Sequence, residues 1–200
     1  RSMIFATFFG SCLCIALIVA SLGTTHWIDA RARKTTNLLE SEGRISFGLF
    51  EGRKELNPAY GWRIYDFSVK AGTHPARRWA WCGTAALLAA SVLSAGGACV
   101  LAALGSAARA LLFSLGAIAV WLTEYFLRLQ HNVMSDEDLA NRWSSDDTAD
   151  LGLSFWLVVA ASITAFVNDV CILIAMADGR DMDTIAPALE EKVNGAIMLY

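Results

Sequence analysis

The sequence predicts an all-α membrane protein, a bundle of four transmembrane helices with a small β-sheet in its first loop. Two observations carry this. Hydrophobic residues make up 56% of the 200 and charged residues only 18%, against about 25% charge in ordinary soluble chains. The few charges are also gathered. None lies between Arg1 and Asp29 or between Arg78 and Arg109, residues 110–127 hold only Glu124, and residues 151–177 hold only Asp169.

A spanning helix needs about 20 mostly apolar residues, and a soluble helix of that length would keep a polar face. The four runs therefore read as spans at roughly 4–26, 80–104, 109–128 and 153–177. They belong to one tetraspan domain over residues 1–200. The first run is too long for a signal-peptide core of about 7–15 residues and is expected to be retained. The chain opens on Arg1-Ser2 without an initiator Met, so further N-terminal sequence is expected.

Between the spans lie a long loop one (29–78), a tight turn near Gly105, and a moderate loop three (129–150). A polar tail (178–200) follows. An even number of spans puts both termini on one side and loops one and three on the other. Twelve of the 16 Lys and Arg residues fall in or beside loops one and three. By the positive-inside rule, those loops would be cytoplasmic.

Loop one carries strand periodicity. Ile45, Phe47 and Leu49 alternate with Arg44, Ser46 and Gly48, and Tyr65, Phe67 and Val69 alternate likewise. Asn57-Pro58 and Tyr60-Gly61 supply turn chemistry between them. So short a sheet cannot bury a core of its own, so it must lean on the helix ends or on a partner. Loop three is acidic, with Asp136, Glu137, Asp138, Asp146, Asp147 and Asp150. It reads either as a solvated connector or as a surface facing basic loop one.

Within the second span Ala86, Ala90, Ser94, Ala98, Ala102 and Ser106 recur every four residues and predict a small-residue packing face. Cys12, Ala16 and Ala20 of the first span repeat the spacing and are its expected opposite wall. Glu124 precedes Arg128 by four residues, the favourable order for a helical ion pair. Asp169, deep in the fourth span beside Asn168, has no basic residue one turn away. It reads as a bonded bundle residue or as a contact to a partner. Trp27, Trp79, Trp81, Trp143 and Trp156 are placed as an interfacial belt would be. The five cysteines all fall within spans, where they pack as small hydrophobes.

These pieces together resemble the clarins, of the claudin and peripheral-myelin-protein superfamily. The likeness rests on Gly23-Thr24-Thr25-His26-Trp27-Ile28 closing the first helix and Phe47-Gly48-Leu49-Phe50-Glu51-Gly52 in loop one. It extends to Leu153-Ser154-Phe155-Trp156-Leu157 opening the fourth helix, to Asn168, and to the terminal Met198-Leu199-Tyr200. The resemblance implies a multi-pass plasma-membrane protein of sensory or epithelial cells, without enzymatic activity. It also implies cytoplasmic termini and extracellular loops one and three, against the charge count, and this plan is the one adopted. Loop one lacks the cysteine pair common in the superfamily, and the chain holds no Asn-x-Ser/Thr sequon.

Neither a phosphate-binding glycine loop nor a His-Glu-x-x-His or Cys-x-x-Cys motif occurs. No enzyme, cofactor or metal is expected. The net charge of -3 and the absence of a basic stripe exclude a nucleic-acid partner. Two functions remain: an organiser of a membrane protein complex, or an auxiliary subunit of an ion channel. The expected partners are membrane lipid and an integral-membrane protein such as a channel. Leu122, Tyr125 and Arg128 fit a weak sterol pattern, and Met198 and Tyr200 fit a PDZ groove. The interaction candidates are Phe47, Gly48, Leu49, Phe50 and Trp62 in loop one, and Asn168 and Asp169 in the fourth span.

Overall fold

The computed structural model describes residues 2–36, 41–58, 61–68, 75–101, 104–134 and 136–197. Among these, four helices are long and apolar enough to cross a membrane, with spans at Phe5–Gly23, Ala80–Gly97, Ala108–Leu129 and Leu153–Ala177. They belong to α1 (Ser2–Gly23), α2 (Pro75–Leu101), α3 (Leu104–Glu124, continued by a π-helical turn at Tyr125–Leu129) and α5 (Leu153–Ile197). A short α4 (Asp136–Ala140) lies in loop three. The backbone of α5 runs on past residue 177, where the sequence suggested a separate tail. The charges there end the apolar run and not the helix.

Helix α1 packs on α2 and α5, and α3 packs on the same two, which closes a four-helix ring. Lipid gives helices no hydrophobic reason to associate, so close fit and hydrogen bonds must hold them. Hydroxyl and amide groups do this at each level. Thr24 and Ser154 share a hydrogen bond of 2.6 Å, Ser162 donates to Ser114 at 2.9 Å, and Ser91 donates to the Ala110 carbonyl at 2.8 Å. Large apolar side chains such as Phe9, Leu93, Leu112 and Phe166 point outward, as lipid permits.

The sheet is larger than the sequence suggested, so the fold mixes helix and sheet and is not simply all-α. Among the described residues it has six antiparallel strands: β1 (Ile28–Lys34), β2 (Ser41–Phe47), β3 (Glu51–Pro58), β4 (Arg63–Ser68), β5 (Trp143–Ser144) and β6 (Asp150–Leu151). The order is β4-β3-β2-β1-β5, with β6 also on β1. Loop three thus supplies two strands to the sheet of loop one, and the two loops share one end of the bundle. Strand β1 begins directly after α1. Ile28, Ala30 and Ala32 point inward, while Asp29, Arg31 and Arg33 point outward. On the inner face Ala32, Ile45 and Leu56 join Met134 and Trp143 of loop three in one buried cluster.

The expected turn after β3 is present in part. The Asn57 carboxamide accepts from the Gly61 N–H at 3.2 Å, and Gly61 has a φ of 114°, which only glycine adopts without strain. Residues 59 and 60 lie outside the described set.

Candidate functional site

The hairpin between β2 and β3 is pinned to the end of α1. A Cβ on Gly48 would collide with the Thr24 carbonyl oxygen, so this approach needs glycine. Phe47 and Leu49 on either side are buried. Of the loop-one candidates, Phe47, Gly48 and Leu49 are therefore core, and Phe50 and Trp62 are exposed. Those two do not form one patch. Glu51 pairs with Ser68 and Leu56 with Arg63, so Phe50 and Trp62 stand at opposite ends of the β3–β4 ribbon. Seven residue steps along the ribbon separate them, about 23 Å.

Strand β4 is the open edge of the sheet. Among the described residues it pairs with β3 on one side only. Both its faces are largely exposed, with Ile64 and Asp66 outward and Arg63 and Tyr65 on the inner face beyond the cover of loop three. Trp62, Ile64 and Tyr65 are each about half exposed. An edge strand with free backbone groups and apolar side chains is a template for partner association.

Loop three is not a mere solvated connector. The ammonium of Lys54, on the inner face of β3, is ion-paired with Asp138 of α4, and their side chains are only 17% and 12% exposed. The same ammonium lies 5.9 Å from the centre of the Phe67 ring. Thr35 N–H donates to the Arg142 carbonyl at 2.9 Å. Opposite charges on the two loops thus meet across the sheet.

Where bundle and sheet join, three indoles stack edge to face. Trp27 and Trp81 each contact Trp121, with ring centres 4.8 and 5.0 Å apart. Trp27 Nε1 donates to the Ser21 carbonyl at 2.9 Å. The interfacial belt suggested for the tryptophans is corrected here. Trp27, Trp81 and Trp143 are buried and build the core, and Trp156 is exposed. The side chain of Trp79 lies outside the described set. A tryptophan at a span end suits either role, and only its direction around the helix decides.

Glu124, one turn beyond Trp121, is buried with Oε1 unpartnered, while Arg128 is exposed. The expected i,i+4 ion pair is not formed. The π-helical turn at Tyr125–Leu129 breaks the α-helical register that would have brought them together. Tyr125 instead donates its hydroxyl to the Ala149 carbonyl at 2.8 Å.

Inside the bundle Asn168 and Asp169 are both buried. Asn168 faces α1 and donates to Ser11 Oγ at 3.0 Å. Asp169 Oδ1 has no hydrogen-bond partner among the described residues.

The small-residue face of α2 needs correction. The buried stripe is Trp81, Thr84, Leu88, Ser91 and Ala95, whereas Ala86 is exposed and Ala90 and Ser94 are half-buried on the opposite side. Ala98, Ala102 and Ser106 lie outside the described side chains. Ala16 and Ala20 of α1 are exposed as well, and Cys12 is half-buried. Alanine is at ease in lipid, so its spacing alone does not say which face is packed. Cys14 is buried, Cys171 half-buried and Cys82 exposed, while Cys99 lies outside the described side chains, as do Met198 to Tyr200. Among the described residues, no group of three His, Cys, Asp or Glu side chains is placed to hold a metal ion. No protein-family model matches this chain, and no curated protein matches it.

Proposed function

We propose that this chain is a clarin-like, non-enzymatic tetraspan of the plasma membrane. It holds a membrane protein complex together through the open edge of its sheet. The observation that carries the reading is β4, with one backbone edge unpaired among the described residues and Trp62, Ile64 and Tyr65 exposed along it. The helices beneath it are cross-bonded into a support. A rigid bundle that presents an adhesive edge suits assembly better than turnover. In this reading the termini are cytoplasmic, and the sheet docks an integral-membrane partner outside the cell, in sensory cells by the clarin likeness.

The test is copurification from native membranes. Trp62→Ser combined with Ile64→Lys should reduce recovery of the partner about tenfold, equivalent to roughly 1.4 kcal/mol, and leave membrane insertion intact. Undiminished recovery with normal surface delivery would refute the edge as the docking site. Stoichiometric recovery of a channel would narrow the function to an auxiliary channel subunit.

A further inference from the structure

We propose that the helix-proximal end of the β3–β4 ribbon, at the opposite end from Trp62, is a binding site for the headgroup of a zwitterionic phospholipid. The inference rests on the four helices being membrane spans and not on the identity of any protein partner.

The level of the site is fixed first. The apolar span of α1 ends at Gly23, and the next carbonyl, that of Thr24, is the group against which Gly48 packs. The β2–β3 turn therefore sits where hydrocarbon gives way to headgroups. Phe50, in that turn, is 56% exposed. An exposed aromatic at this depth belongs in the interface between lipid and water.

A cleft of about 430 Å³ opens beside it, lined by Thr25, Glu51, Gly52, Arg53, Asp66, Phe67 and Ser68. That size is within the range of small-ligand sites. A Cβ on Gly52 would overlap the Phe67 ring, so the ring lies over the glycine on the inner face beside Lys54, and the charged side chains of the cleft stand on the other face. Both signs of charge are present. Arg53 Nε lies 3.2 Å from Glu55 and 4.0 Å from Asp66. Glu51 and Asp66 are exposed carboxylates.

The chemistry selects the ligand. A phosphate would take the guanidinium of Arg53 and the hydroxyls of Thr25 and Ser68. A choline or ethanolamine cation would take the carboxylates of Glu51 and Asp66. Two carboxylates against one guanidinium leave the lining net negative, which disfavours a headgroup that is purely anionic. The acyl chains would then descend past Phe50 into the bilayer.

The full-length chain, purified in detergent, would be tested by thermal unfolding with added dioleoylphosphatidylcholine, dioleoylphosphatidylglycerol or soluble phosphocholine. Phosphatidylcholine should raise the midpoint by about 4 °C, with little effect from the other two. Glu51→Gln with Asp66→Asn should abolish that preference without moving the lipid-free midpoint, because both residues are on the surface. Phe50→Ser alone should weaken it. Equal stabilisation by the two lipids, or a preference that survives the double substitution, would overturn the site. Soluble phosphocholine acting as strongly as the lipid would overturn the membrane as the source.

Discussion

Asn168 donates to Ser11 Oγ at 3.0 Å, and its amide oxygen lies 2.8 Å from where a Cβ would stand on Gly10. The clasp between α1 and α5 thus needs both an amide on one helix and no side chain on the other. Hydrogen bonds between spans are worth about 0.6–2 kcal/mol. Asn168→Leu is expected to lower stability by about 1 kcal/mol, and Gly10→Ala to do so by pushing the amide off Ser11. Because both changes break the same contact, the double variant should lose less than the sum of the two. Thermal unfolding of the four chains in one detergent measures this, and strict additivity would show that Gly10 and Asn168 act independently.

Lys54 and Asp138 join the sheet to loop three in a nearly dry pair. Removing one partner of such a pair strands the other charge and costs about 3 kcal/mol. Lys54→Met should therefore open loop three to proteolysis, while Lys54→Met with Asp138→Leu should restore much of the protection. If limited digestion of residues 129–150 were the same in Lys54→Met and the parent chain, the pair would be only a surface contact.

Glu124 leads to a prediction of opposite sign. Its carboxylate is buried with Oε1 unpartnered, and an unsatisfied buried polar group costs about 1–3 kcal/mol. Glu124→Met should raise the unfolding midpoint. Had the ion pair with Arg128 formed, the same change would lower it. A fall in the midpoint, matched by Arg128→Met, would mean that the carboxylate and guanidinium meet after all.

The spans were legible because lipid tolerates so few charges that Glu124 and Asp169 stand out even in single runs. Strand β2 was legible through Ile45 and Phe47. Strands β1 and β3 were not. Alanine fills the inward positions of β1 at Ala30 and Ala32, and β3 carries the charged Lys54 on its inner face. That lysine points inward because Asp138, 84 residues away in the chain, meets it there, and no local pattern encodes such a partner. The candidate site divides the same way. The aromatic content of loop one was visible, but the separation of Phe50 from Trp62 follows from strand pairing. The packed side of α2 was misread because small residues fit both lipid and protein.

That misreading supplies the last prediction. On α2, Ser91 is fully buried and donates to the Ala110 carbonyl of α3, while Ala86 faces outward. Both are small, and both precede large residues in the sequence, so composition does not separate them. Bulk at Ser91 must push α3 away and also leave the Ala110 carbonyl without its second donor. Overpacking of this kind costs about 1–3 kcal/mol, and the lost hydrogen bond adds to it. Bulk at Ala86 meets only lipid. Ser91→Leu should therefore lower the unfolding midpoint and the yield of folded protein, whereas Ala86→Leu should change neither. Each variant would be purified in the same detergent and compared by size-exclusion profile and thermal unfolding. Similar losses in the two would mean that the outward face of α2 is packed as well, against a second molecule that survives purification. A loss in Ala86→Leu alone would reverse the assignment of the two faces.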